Sequence, residues 1–130
     1  MMTSYGTSKT VSLTYEKAIE RVSEELKKEG FGVLTSIDIK ETLKKKIDVD
    51  FQKYIILGAC NPPFAHKALM AEEQIGLLLP CNVIVYEKEG RTVVAAFDPM
   101  TMVTMTENEA LKSIAEETGR KLRRVIDAVA

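Results

Sequence analysis

The chain has 130 residues, 45% of them hydrophobic and 28% charged, which excludes a wholly disordered or fibrous polymer. Eighteen basic residues against nineteen acidic ones leave a net charge of −1, so the chain as a whole offers no electrostatic footprint for nucleic acid. Its longest apolar runs are far too short to span a bilayer, and its two cysteines do not make a secreted disulfide framework.

No repeat or low-complexity linker divides the sequence, so a single α+β domain over residues 10–130 is expected, preceded by a flexible tail over residues 1–9. That polar start has no apolar core of a leader peptide, and a cytoplasmic address with reduced thiols is expected. Thr10 to Leu13 reads as a short strand with Val11 and Leu13 on one face. Thr14 sits where a helix N-cap belongs, and Ala18, Ile19, Val22 and Leu26 make one apolar stripe that Gly30 terminates. Phe31 to Ile37 is a strand with Phe31, Val33 and Ile37 on one side. Asp38 and Glu41 have capping-box spacing, and a short helix should close on Lys44, Lys45 and Lys46.

Phe51 to Ala59 is too continuously apolar for a half-exposed strand and reads as a central one. Asn61 then caps a helix with Pro62 at its first position, running to about Ala71. Cys81 to Glu87 and Arg91 to Phe97 flank Lys88-Glu89-Gly90, a hairpin. Thr106 and Glu109 repeat the capping-box spacing, and Leu111, Ile114, Ala115, Leu122, Val125, Ile126 and Val129 hold helical register to the end. A long last helix after a hairpin predicts helices on one face of a mostly antiparallel sheet.

Four segments are specific: Gly58-Ala59-Cys60-Asn61-Pro62, then Gly76-Leu77-Leu78-Leu79-Pro80-Cys81-Asn82-Val83, then Val85-Tyr86-Glu87, then Asp98-Pro99-Met100. Together with the Thr14-initiated helix and Gly30-Phe31, this run resembles the prokaryotic family known as domain of unknown function 302. The resemblance implies a TATA-binding-protein-like β-α-β4-α fold in a homodimer. The helices near 38–46 and 62–71 would then be insertions in the four-strand section. It implies no activity and no catalytic residues.

Reactive side chains concentrate between Gly58 and Pro99. Cys60 lies between a strand end and a helix start, and a helix N-terminus favours a thiolate. The same position also suits a small buried residue. Cys81 opens the hairpin on the face of Val83 and Val85, and a tertiary pairing with Cys60 is open. His66, the only histidine, stands one turn into the helix after Asn61 and could activate Cys60, or simply be solvated. Cys60, His66, Cys81 and Asp98 also make a four-ligand metal set, although Asp98 before Pro99 is equally a turn-former.

Met100, Met102 and Met105 offer thioethers for a soft metal, or filler for the connector they occupy. Lys44 to Lys46 and Arg120, Lys121, Arg123 and Arg124 read as solvated helix faces, so neither nucleic acid nor membrane is expected as a partner. The leading expectation is a homodimeric module binding a small molecule or soft metal near Cys60, His66 and Cys81. The rivals are a thiol enzyme with Cys60 as nucleophile, and a dimeric scaffold with no site.

Overall fold

A computed structural model of the chain describes residues 2–130, Met2 through its backbone alone. The expected N-terminal tail is largely strand. β1 (Met2–Thr3) turns into β2 (Gly6–Val11), which pairs along its whole length with a later strand, whereas Met1 lies outside the described residues. The physical reason is tertiary. Lys9 in β2 donates from Nζ to the carbonyls of Val129 at 2.6 Å and Asp127 at 3.1 Å, closing the end of the last helix from 120 residues away.

The first helix, α1 (Tyr15–Lys28), is set by local chemistry at both ends. Thr14 Oγ1 accepts the Lys17 amide at 3.2 Å. At the other end Gly30 adopts φ 84°, so that its N–H reaches the Lys27 carbonyl and the Phe31 N–H reaches Leu26 at 2.9 Å. That pair of bonds is a Schellman closure, which needs the left-handed conformation glycine adopts without strain. β3 (Gly32–Asp38) follows, and Asp38 Oδ1 accepts the Glu41 amide at 3.0 Å to start α2 (Ile39–Ile47).

β4 (Tyr54–Cys60) runs into α3 (Pro62–Ala71) and a 3₁₀ segment (Glu73–Leu78). β5 (Cys81–Lys88) and β6 (Arg91–Phe97) form the hairpin, its turn made by Glu89 and Gly90 at φ 53° and 75°. Between the hairpin and the last helix the Met-rich connector is itself helical, as α4 (Met100–Thr106). Asn108, not Thr106, supplies the next cap: its Oδ1 accepts the Ala110 amide before α5 (Lys112–Ala128).

The strands make one antiparallel sheet in the order β1-β2-β6-β5-β4-β3. With β1 set aside, the chain order is β-α-β4-α, and α2, α3 and α4 are insertions. α1 and α5 cover one face of the sheet. There Ala18, Val22 and Leu26 meet Val83, Val85 and Val94, all fully buried, each larger side chain contributing about 1.5–3 kcal/mol of transfer free energy. One register detail departs from expectation. A bulge between Val33 and Thr35 in β3 places Val33 opposite Ala59 but Ile37 opposite Ile56, so those two side chains fall on opposite faces.

The second face of the sheet lacks a buried apolar layer. Ile37, Ile56, Ile84, Ala95 and Ser8 form one cross-strand row on it, and Tyr54, Tyr86, Val93 and Thr10 the next. The Tyr54 and Tyr86 rings stack at 5.4 Å, and every residue of both rows is half-buried or exposed.

Candidate functional site

The site forms where β4 ends and β5 begins. Ala59 pairs with Cys81, so Cys60 stands one residue beyond that pair. Asn61 occupies the N-cap position of α3, but its side chain makes no capping bond. Its Nδ2 instead donates to the Glu29 carbonyl at 3.3 Å, holding the start of α3 against the end of α1. Pro62 and Pro63 then launch the helix without needing amide partners.

α3 leans over the sheet end and leaves a cavity of about 390 Å³. Phe64, Ala65, Ala68 and Leu69 line it from the helix, spaced as one helical stripe. Phe31, Leu34 and Thr35 line it from β3 and its approach, Leu79 and Pro80 from the segment before β5. Met102, Ile114 and Thr118 close it from α4 and α5, and both cysteines are in its wall. A second small core of Ala68, Ile75, Met102 and Leu111 supports this roof from outside the main core.

Among the described residues no charged side chain is in the wall, and two of its polar groups are engaged with backbone: Asn61 Nδ2 with the Glu29 carbonyl, and Thr118 Oγ1, which donates to the Ile114 carbonyl at 2.8 Å. Gly58 makes the floor possible. A Cβ there would overlap Thr35 Oγ1 and come 2.8 Å from Pro80 Cγ, two residues that line the cavity.

Of the four side chains that sequence singled out, the cavity gathers two. Cys60 is half-buried and Cys81 buried, both as free thiols. Burial pushes the Cys81 thiol up to about 12, with the neighbouring Cys60 adding to the effect. His66 is exposed and does not line the cavity, because it falls off the Phe64–Ala65–Ala68–Leu69 stripe. Asp98 follows β6 at the same end of the sheet but does not line the cavity, because its Oδ1 accepts the Met100 amide at 3.0 Å to shape the turn into α4. Among the described residues no group of three or more His, Cys, Asp or Glu side chains is placed to hold a metal. Helical spacing also disperses the methionines: Met102 is buried in the wall, whereas Met105 is 62% exposed.

Sequence reasoning passed over the wall residues Phe64, Ala65, Ala68 and Leu69 although their helical spacing was readable. Ile114 was placed on the apolar side of the last helix, but nothing local marked it or Thr118 as facing a void. The basic groups flagged on α2 and α5 are in part paired: Lys44 with Asp48 at 2.8 Å, Lys45 with Glu41 at 2.7 Å, Arg124 with Glu29 at 2.8 Å. No helix of the described residues is long and apolar enough to cross a membrane.

This geometry has a close counterpart among solved structures. The crystal structure of an uncharacterized conserved protein DUF302 from Bacillus stearothermophilus superposes with a TM-score of 0.92 at 34% sequence identity. The match covers 98% of this chain and all of that one. No curated protein matches the sequence. The family model of the domain of unknown function DUF302 matches residues 7–129, nearly the whole chain, and the protein belongs to that family.

Proposed function

We propose that this domain is a homodimeric, cytoplasmic binding module that takes a small apolar molecule in the cavity between α3, α5 and the sheet end. The observation that carries this reading is the cavity itself: about 390 Å³, walled by aliphatic and aromatic side chains with a few neutral polar groups among them. Those are the dimensions and the chemistry of a small-molecule site, and a plain scaffold has no need of such a void. The two thiols make a soft metal the alternative occupant. Against thiol catalysis stands the position of His66, which is solvated and away from the cavity that Cys60 lines.

The homodimer is supported by the second face of the sheet. Its two cross-strand rows of Ile, Val, Ala and Tyr carry no covering layer in one chain.

Binding is tested with n-dodecanol, a neutral probe, by displacement of Nile red and by native mass spectrometry. One molecule per chain is expected, and Ala65→Phe or Ala68→Leu, each growing into the void, should abolish uptake while circular dichroism stays unchanged. Stoichiometric copper or zinc in the freshly purified protein would replace the organic ligand with a metal. An empty protein that takes up no probe would overturn the reading.

A further inference from the structure

We propose that the ligand of this cavity is a single-chain amphiphile with an anionic head, its tail among the wall residues and its head against Lys67 and Lys121. The inference rests on the apolar-ligand reading and adds the charge and shape of what is bound. Size comes first. At about 30 Å³ per water-sized group, a 390 Å³ cavity accommodates roughly a dozen such groups, which suits one medium-length chain and excludes a two-chain lipid held whole.

Polarity comes second. The wall holds no charged group, and Asn61 and Thr118 have already donated to the Glu29 and Ile114 carbonyls. A charge carried to the bottom would therefore lose its hydration with no opposite charge there to replace it. Any charged head must stay at the rim.

The rim is cationic at one place. Lys67 Nζ lies 5.8 Å and Lys121 Nζ 5.9 Å from the centroid of the Phe64 ring, and that ring is part of the wall. Lys67 makes no ion pair among the described residues. Lys121 has only a 3.9 Å contact to Glu29, whose carboxylate is held by the shorter bonds from Arg124. Two ammonium groups beside an apolar wall thus lack a close counter-charge of their own. Leu34 and Leu69, both wall residues, are 67% and 42% exposed, giving an incoming tail apolar surface to meet before it is enclosed.

The test compares three probes with the same tail on the intact protein: dodecanoate, n-dodecanol and dodecyltrimethylammonium, by isothermal titration at low salt. Dodecanoate should bind one per chain and up to about fivefold tighter than the alcohol, the increment of one favourable surface ion pair, with the cation weakest. In Lys67→Glu and in Lys121→Glu the ratio of carboxylate to alcohol affinity should fall to about one or below. Lys67 is exposed, whereas the Lys121 side chain is 25% exposed beside Glu29, so Lys121→Gln, which adds no charge next to that carboxylate, accompanies Lys121→Glu as a control for folding. Equal affinities for the carboxylate and the alcohol in the unmodified protein would overturn the anionic head and leave the apolar site standing. Failure of all three probes to bind would overturn both.

Discussion

Arg124 and Glu29 meet across 95 residues of sequence as a two-nitrogen fork: Nη2 donates to Oε1 at 2.8 Å, and Nε to Oε1 and Oε2 at 3.2 and 3.3 Å. The fork joins the C-cap of α1 to the C-terminal half of α5. The same Glu29 receives Asn61 on its backbone carbonyl, so one residue ties both core helices to the start of the cavity roof.

Glu29 should make stability pH-dependent on the acid side. The hydrogen bonds from Arg124, more than any other influence, lower its pKa below the ordinary 4.5. A depressed carboxylate stabilises the fold above its unfolded pKa, and that contribution disappears as pH falls through the folded value. Arg124→Ala should therefore lower the melting temperature by a few degrees at most at neutral pH, because the pair is partly solvated. The deficit should vanish well below pH 4.5 and in high salt. Equal melting temperatures at neutral pH and low salt would show that the fork contributes nothing.

The two thiols should react at very different rates. Cys60 is half-buried on the cavity wall, whereas burial raises Cys81 to about 12. Timed alkylation at pH 8 with peptide mapping should label Cys60 first and Cys81 only on unfolding. A raised folded pKa leaves stability intact below the unfolded value of 9.0 and erodes it as pH climbs toward about 12. Tyr15, raised to about 12 chiefly by its own burial, titrates over much the same range. Urea midpoints should thus be level to about pH 9 and then fall, less steeply in Cys81→Ala. Simultaneous labelling of both cysteines in the folded protein would contradict this assignment.

Gly58→Ala should cost about 1–3 kcal/mol by overpacking, seen as a lower urea midpoint with an unchanged slope. The new methyl would meet Thr35 Oγ1 and the Pro80 ring. Adding Thr35→Ala should recover only part of the loss, because Pro80 Cγ still lies 2.8 Å from the new atom. A wild-type midpoint for the single variant would mean that the floor yields freely.

Ile84→Glu places a charge in the middle of the uncovered apolar row, opposite Ile56 and Ala95. Light scattering should read a dimer for the unmodified protein and a monomer for this variant, with circular dichroism conserved. A monomer in both cases at micromolar concentration would remove the dimer.

Elements were legible wherever a local group decides them. Thr14, Gly30, Asp38 and the Glu89-Gly90 turn each act within a few residues, so sequence places them. β2 leaves no signal because Gly6-Thr7-Ser8-Lys9 has no apolar alternation; its partners, Val94 to Phe97, are remote in sequence, and Lys9 serves the end of α5. The β3 bulge left no trace in the order of Val33 and Ile37. For the site, the concentration of cysteines pointed to the right end of the sheet. The void is hidden because its walls come from seven separate elements, and His66 is near in sequence while the helix turns it away.

The division of the interior into two clusters makes the roof a unit apart from the sheet. Ala68, Ile75, Met102 and Leu111 hold the inserted helices to one another and meet the rest of the fold through Phe97 and Ile114, while α1 and α5 pack on the sheet through a larger cluster. Such a pair of cooperative units opens at different free energies, the smaller one first. A guest between them would act as a rivet: its departure rate would follow the lifting of the insertions, and amides of α3 would exchange more slowly in its presence while those of β5 kept their pace.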